Sequence, residues 1–168
     1  MAKRWTLLAE SELRCEVSET EPLYLRLVEG SAELHGIEIP LDKEFAFIDD
    51  NFAVFTWYGC VIETTGGKSL YTSDSTPMVS YVNTHIQLEA MRDVALGTQQ
   101  DGPSVLIVGP PDSGKSTMAR ILLAYAARLD RHPVFVDLDA GQSSIGIPGC
   151  IGAMPVEKAS INIEVLYD

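Results

Sequence analysis

The sequence predicts an α+β chain of more than one domain, in which a small all-β sandwich is followed by an incomplete P-loop α/β domain with a parallel sheet. Three observations lead to this prediction. Short runs of alternating apolar and polar residues, separated by turn residues, fill positions 4 to about 83. A glycine-rich loop at residues 109–117 lies between an apolar run and a helix-like stretch. The part that follows offers two or three strands, whereas a sheet of this kind needs about five.

The first half is predicted to be all-β because alternation gives each strand one buried and one solvated face. The alternating runs lie at residues 13–17, 23–27 and 45–47, and shorter apolar runs lie at 53–57, 61–63 and 70–72. The aromatic side chains of this half are expected in its core: Phe45, Phe47, Phe52, Phe55 and Trp57.

A helix is predicted from residue 85 to about residue 96, because Asn83 and Thr84 are suitable N-caps and Gly97 favours a helix end. The polar residues that follow are predicted to be a linker. The predicted domains are therefore residues 1–98, the sandwich module with its trailing helix, and residues 99–168, the start of the P-loop domain.

The second domain is predicted to begin with a strand at residues 105–108, followed by the glycine-rich loop and a helix at 118–129. A second strand is expected at 133–139, and residues 161–166 fit a third. A loop rich in glycine and proline separates these last two segments.

Composition restricts the classes of function. The formal net charge of −12 argues against nucleic-acid binding through a general positive field, so any such site would be local. No apolar run reaches the roughly 18 residues of a membrane span, and we expect none. The three cysteines, Cys15, Cys60 and Cys150, are predicted to be buried free thiols without the spacing of metal ligands.

The loop G-P-P-D-S-G-K-S-T at residues 109–117 fits the phosphate-binding pattern G-x-x-x-x-G-K-[ST]. Its glycines let backbone N–H groups turn toward phosphate oxygens, and the following helix adds its positive end. Lys115 is expected to reach the β- and γ-phosphates, Ser116 to bind Mg²⁺, and Thr117 to bond near the α-phosphate. The sequence therefore predicts a nucleoside triphosphate with Mg²⁺.

Two carboxylates end the next predicted strand, and Asp137 and Asp139 point to one face because they alternate. Strand ends of a parallel sheet share one edge, which would place these acids near the metal and the γ-phosphate. One would hold the metal through water and the other would accept a proton from an attacking hydroxyl; alternatively, one of them only caps the strand end. Gln142 would orient the phosphate, the metal water or the acceptor.

Several further motifs resemble one family when taken together with this loop. They are G-S-A-E-L-H-G-I-E-I at 30–39, F-T-W-Y-G-C at 55–60, Y-V-N-T-H at 81–85, V-D-L-D-A-G-Q at 136–142 and S-I-G-I-P-G at 144–149. Their succession resembles the RNA 5′-hydroxyl-kinase family, which includes the kinase-like subunit of the nuclear pre-mRNA cleavage complex. His35 departs from the first pattern, since the family usually has Phe at this place.

The resemblance implies transfer of the γ-phosphate of ATP to an RNA 5′-hydroxyl. It implies that Glu12 contacts the adenine, with Lys43 as a second candidate, and that Asp139 activates the hydroxyl while Gln142 helps to orient it. Asp137 then becomes a secondary acid on the metal side. The implied ATP contacts of the loop are Asp112, Ser113, Gly114, Lys115, Ser116 and Thr117.

The resemblance also implies a nuclear protein in pre-mRNA 3′-end cleavage and polyadenylation, and a role in tRNA splicing. The implied partners are RNA 5′-hydroxyl ends, other cleavage factor subunits and the tRNA splicing endonuclease. An inactive ATP-binding scaffold subunit is the alternative, and a GTPase is disfavoured because no N-K-x-D motif occurs. The sequence ends about two-fifths along the family's usual length, before its lid arginines, so we expect little kinase activity from this piece alone.

Overall fold

The computed structural model describes residues 2–141 and 144–158. Packing divides the chain into two units after Ser80. The strands described in the first unit are β1 (Lys3–Leu7), β2 (Ser11–Glu16), β3 (Leu23–Gly30), β4 (Glu33–Leu34), β5 (Ile37–Glu38), β6 (Glu44–Phe47), β7 (Asn51–Thr56), β8 (Cys60–Gly66) and β9 (Ser69–Ser73).

These strands form the sandwich that the sequence predicted. One sheet has the order β1-β8-β3-β6 and the other β5-β4-β7-β2-β9, and neighbouring strands are antiparallel. The alternation in β3 places three leucines in the core at 0–1% exposure, while the residues between them are more exposed: Leu23, Leu25 and Leu27. Burial of such side chains contributes about 1.5–3 kcal/mol each.

Three of the five aromatic residues expected in the core are buried there: Phe47, Phe52 and Phe55. The rings of Phe47 and Phe52 lie 4.3 Å apart. Phe45 and Trp57 are half-buried instead. Strand β1 was not among the predicted runs, because it is an edge strand whose first residues are exposed and which therefore carries little alternation.

Two of the three cysteines are buried free thiols, as predicted. Burial raises the pKa of Cys15 to about 12 and the pKa of Cys60 to about 11, so both stay protonated at neutral pH. The prediction was wrong for Cys150, which is exposed. It lies in the loop that follows a Pro-Gly pair, where no apolar pattern buries it.

Gly66 provides a test of the sandwich. Its φ is +81°, and a Cβ there would overlap the carbonyl oxygen of Pro22, which directly precedes the paired strand β3. We expect Gly66→Ala to lower the free energy of unfolding by about 3 kcal/mol, since the left-handed conformation and the overlap both oppose a side chain.

Urea unfolding of the Gly66→Ala variant measures this loss. The matched control is Gly97→Ala, since Gly97 lies in a helix with no atom within 4 Å of an added Cβ. That change is expected to stabilise the helix by up to about 1 kcal/mol. Equal unfolding midpoints for the two variants would contradict the geometry of β3 and β8.

The remaining described elements are α1 (Met78–Thr98), α2 (Lys115–Arg128), β10 (Val134–Asp137) and β11 (Gly152–Pro155). Helix α1 begins earlier than residue 85, so the predicted caps Asn83 and Thr84 lie inside it. The start signal is Thr76-Pro77, because the Thr76 hydroxyl accepts the Met78 N–H at 3.3 Å and proline suits a first helical turn. No helix of the described ranges is both long and apolar enough to cross a membrane.

The expected strand at 105–108 and its parallel sheet are not found in the described residues. β10 instead pairs with β11 in an antiparallel ladder that runs from Val134↔Pro155 to Asp137↔Gly152. Segment 105–108 is irregular, and Val105, Leu106 and Val108 are 51–80% exposed. A strand exists only through its partners, and these apolar residues have none here. The predicted strand at 161–166 lies outside the described residues.

Helices α1 and α2 pack together in the second unit. The rings of His85 and Tyr125 lie 5.3 Å apart. Beyond α2, Arg131 donates to Glu89 at 2.9 Å and to Asp93 at 2.6 Å. Burial alone would raise the pKa of Glu89, but Arg131 and Arg92 outweigh this effect and lower it.

Buried His85 gives this packing a pH dependence. The residue is 8% exposed, and among the described residues its Nδ1 has no hydrogen-bond partner; the Glu89 Oε1 atom is 4.0 Å away. Burial lowers the pKa of His85 below its usual 6.5, so the unfolded chain binds this proton first as the pH falls. The stability that neutral His85 contributes is therefore present above about pH 6.5 and is lost below it.

We expect the free energy of unfolding to decrease between about pH 7 and pH 5, and this slope to diminish in His85→Gln. Ionised Glu89 also contributes stability, but this contribution is lost only below about pH 4.5 because the pKa of Glu89 is lowered. The effects of His85 and Glu89 on the free energy of unfolding therefore occur in different pH ranges. Urea midpoints at a series of pH values measure the slope. The control is His132→Gln, which removes an exposed imidazole; an unchanged slope in His85→Gln would contradict the assignment.

Candidate nucleotide-binding site

The predicted phosphate-binding loop leads directly into α2. Gly114 is the N-cap residue with a φ of 79°, a left-handed conformation that glycine adopts without strain. It has no side chain, and among the described residues no side-chain cap bond is found at this end of the helix. The first helical bond runs from Met118 N–H to the Gly114 carbonyl at 2.9 Å. This helix start is suited to an anion.

The loop closes around one carbonyl. The Pro110 oxygen accepts hydrogen bonds from Lys115 Nζ at 2.7 Å and from Ser113 Oγ at 2.8 Å. A Cβ on Gly109 would lie 2.8 Å from Ser113 Oγ, so a side chain there would displace the hydroxyl that donates to Pro110. Its bond to the Pro110 carbonyl holds the ammonium group of Lys115 near the N-terminus of α2. There its positive charge acts together with the helix N–H groups on a bound anion.

The other loop residues remain accessible. Ser116 is exposed, which leaves its hydroxyl within reach of a metal ion, and Thr117 is half-buried. Asp112 is exposed with a φ of 57°, a conformation that Asp tolerates better than most residues. Sequence reasoning missed Tyr81 of α1, whose hydroxyl lies 3.8 Å from the position of a Gly114 Cβ. The one sequence signal for Tyr81 is its position as the first residue of the Y-V-N-T-H motif.

The two predicted acids occupy the end of β10 and the loop after it. Asp137 is 9% exposed, and its Oδ1 accepts the Asp139 N–H at 3.0 Å. Its Oδ2 accepts the Ser144 N–H at 2.7 Å and the Ser144 hydroxyl at 2.9 Å. The geometry favours the alternative raised above, that this acid caps the strand end; the metal-side role of Asp137 stays a prediction.

Asp139 differs from Asp137 in being exposed. Its Oδ1 accepts the Gly141 N–H at 3.0 Å, which forms a tight turn after the strand. The predicted role of Gln142 falls outside the described residues. Within the described residues no group of three or more His, Cys, Asp or Glu side chains could hold a metal. In phosphate-transfer sites Mg²⁺ usually binds one or two protein groups together with phosphate oxygens.

The two candidate adenine contacts lie in the first unit, one in a strand and the other in a loop. Glu12 sits in β2 and is 4% exposed, and its Oε1 accepts a hydrogen bond from Arg14 Nε at 2.6 Å. Lys43 is exposed before β6, with Nζ 5.1 Å from the centre of the Phe45 ring. Their contact with adenine stays a prediction.

Comparison with known families connects both units to one protein class. Residues 6–95 match the model of the N-terminal β-sandwich domain of polyadenylation factor. Residues 109–167 match the model of the mRNA cleavage and polyadenylation factor CLP1 P-loop. The chain belongs to the CLP1 family. The resemblance to RNA 5′-hydroxyl kinases is thereby confirmed, as is the sandwich followed by a partial P-loop domain.

The curated relatives have CLP1 names, and several of these names include a kinase activity. The chain is 52% identical over 163 residues to the protein CLP1 homolog of Arabidopsis thaliana, covering 92% of this chain and 36% of that protein. It is 45% identical over 157 residues to the polyribonucleotide 5′-hydroxyl-kinase Clp1 of Homo sapiens, covering 92% and 37%. The chain therefore spans just over a third of the length of these curated relatives.

Solved structures of the CLP1 family support the fold. The wild-type Clp1p–Pcf11p complex matches with a TM-score of 0.84 at 23% identity, covering 94% of this chain and 37% of that one. A second structure, of the extended interface between Pcf11p and Clp1p, matches with a TM-score of 0.83 at 23% identity, covering 94% and 38%. At this identity the likeness concerns the fold.

Proposed function

We propose that this CLP1-family chain supplies the ATP-binding part of a polyribonucleotide 5′-hydroxyl kinase. The observation that carries the proposal is the P-loop geometry. Lys115 Nζ and Ser113 Oγ both donate to the Pro110 carbonyl, and α2 begins at Gly114 with no side-chain cap bond among the described residues. The kinase names of relatives that are 45% identical support the same reaction.

The loop fits a triphosphate with Mg²⁺. The N–H groups at residues 115–117 and the ammonium of Lys115 would hold the phosphate oxygens, and the exposed Ser116 hydroxyl would bind the metal. ATP supplies the phosphoryl group that is transferred. Glu12 or Lys43 would distinguish the base from outside the loop.

The chemistry of the remaining side chains supports the following roles. Lys115 stabilises the charge that develops on the transferred phosphate. Exposed Asp139 accepts the proton of the RNA 5′-hydroxyl, and Gln142 helps to orient that hydroxyl. The RNA end would be recognised locally, since the net charge of −12 gives no general attraction for its backbone.

We propose a nuclear role in pre-mRNA 3′-end cleavage and polyadenylation, with other cleavage factor subunits as partners. The solved Clp1p–Pcf11p complexes support such a partner. A role in tRNA splicing with the tRNA splicing endonuclease belongs to the same proposal. The second candidate function is an inactive ATP-binding scaffold subunit, which the P-loop geometry supports equally because it concerns binding alone.

Identification of the bound nucleotide separates the two functions. The intact natural protein is incubated with ATP, Mg²⁺ and a 5′-hydroxyl oligoribonucleotide, free nucleotide is removed, and the protein is denatured. A kinase is expected to release mostly ADP and to leave a 5′-phosphate on the RNA. A scaffold would release one ATP per chain and leave the RNA end unchanged.

A further inference from the structure

The buried carboxylate of Asp137 organises the loop between β10 and β11. Among the described residues it accepts hydrogen bonds from Asp139 N–H, Ser144 N–H and Ser144 Oγ–H, at distances of 2.7–3.0 Å. An ionised carboxylate has about four acceptor positions, so at least three are used within the loop. Little capacity is left for a metal ion, although the sequence placed Asp137 on the metal side.

These bonds fix the backbone on both sides of Asp139. The Asp139 N–H is held by Asp137, and the Asp139 carboxylate is turned back to the Gly141 N–H at 3.0 Å. A further bond from Gly149 N–H to the Ala140 carbonyl at 2.7 Å closes the far side of the loop. Asp137 therefore holds the backbone from which the Asp139 side chain extends.

An amide could not replace this carboxylate. Both oxygens of Asp137 accept from N–H groups, whereas Asn would present an NH₂ group to one of these donors. The substitution would therefore leave one of these N–H groups without its acceptor on residue 137 and would weaken the hold on the backbone around Asp139.

We propose that Asp137, with Ser144 as its partner, is a positioning residue that aims Asp139 at the RNA 5′-hydroxyl. This inference rests on the proposed kinase function. It assigns Asp137 to the alignment of the proton acceptor and leaves phosphate and metal binding to the P-loop.

Asp137→Asn in the intact natural protein tests the assignment. We expect the rate of RNA phosphorylation in a single turnover to fall about tenfold, because a small displacement of a reacting group is costly. The ATP Kd and the Mg²⁺ concentration for half-maximal rate should change less than about twofold. Ser144→Ala removes one bond and should lower the rate by about two- to threefold. Amide hydrogen exchange at Ser144 should be faster in Asp137→Asn.

A second background separates positioning from a general effect on folding. In Asp139→Asn, adding Asp137→Asn should change the residual rate by less than about twofold, because the residue through which it acts is already altered. The matched control is Asp130→Asn, which changes an exposed carboxylate and should keep the parent rate.

Three outcomes would overturn the inference: a parent rate in Asp137→Asn, a full additional loss in the Asp139→Asn background, or a rise of more than about tenfold in the required Mg²⁺ concentration. The last outcome would make Asp137 a metal ligand. If the parent protein transfers no phosphate, the proposed kinase function fails. The hydrogen-exchange rate of the Ser144 amide then tests the positioning role by itself. If that rate is unchanged in Asp137→Asn, the positioning role is wrong.

Discussion

Lys115→Ala is expected to reduce phosphorylation of a 5′-hydroxyl RNA by about 1,000-fold in kcat/KM. The Lys115 ammonium is held at the start of α2 by the Pro110 carbonyl, and it is the cation that the P-loop itself contributes. Its loss removes the charge that stabilises the transferred phosphate and also weakens ATP binding. Steady-state kinetics with labelled ATP, together with an ATP binding titration, measure both effects.

Lys68→Ala is the matched control for Lys115→Ala, since Lys68 is an exposed lysine in the first unit. It should keep both the rate and the ATP affinity of the parent. If Lys115→Ala retained the parent rate, the P-loop would not be the site of phosphate transfer. The scaffold function would be favoured if the parent protein bound ATP without transferring phosphate and Lys115→Ala abolished that binding.

Asp139→Asn has the second largest expected effect, a fall in kcat of about 100- to 1,000-fold with the ATP Kd within about twofold of the parent. The substitution keeps the size of the side chain and an oxygen for the Gly141 N–H, but it removes the proton acceptor. Single-turnover rates and ATP titrations distinguish this selective loss from the combined loss in Lys115→Ala.

Asp130→Asn controls for removal of an acid in the same unit. Asp130 has a φ of 57°, which Asn tolerates as well as Asp, so the fold should be preserved. A parent kcat in Asp139→Asn would assign proton acceptance to another group. An equal loss in both variants would point to a general effect of charge.

The local features of this chain were predictable from the sequence. The loop pattern at residues 109–117 predicts a helix directly after it, because both depend on neighbouring residues alone. Helix α2 starts at Lys115, inside that pattern. The alternation at residues 23–27 identified β3, because a strand with one buried face records its environment in its own sequence.

Features that depend on distant residues were not predictable. The pairing of β10 with β11 depends on a partner strand beyond the loop, and the apolar residues at 105–108 alone could not show that they lack one. The predicted start of α1 at residue 85 was wrong for a local reason. Thr76-Pro77 is a recognisable N-terminal signal for a helix that begins at Met78.

The roles of the two acids also separated only in the structure. Asp137 and Asp139 are equivalent by strand period, yet one is buried and bonded to Ser144 while the other is exposed. The clamp of Arg131 on Glu89 and Asp93 joins residues about forty positions apart and likewise left no local signal.

The most direct measurement of the central claim is transfer of a radiolabelled γ-phosphate from ATP by the intact natural protein. Two oligoribonucleotides of one sequence are compared, one with a 5′-hydroxyl and one with a 5′-phosphate. The account predicts label on the 5′-hydroxyl RNA alone, and its loss in Lys115→Ala. Absence of label from the 5′-hydroxyl RNA while the protein binds ATP would contradict it.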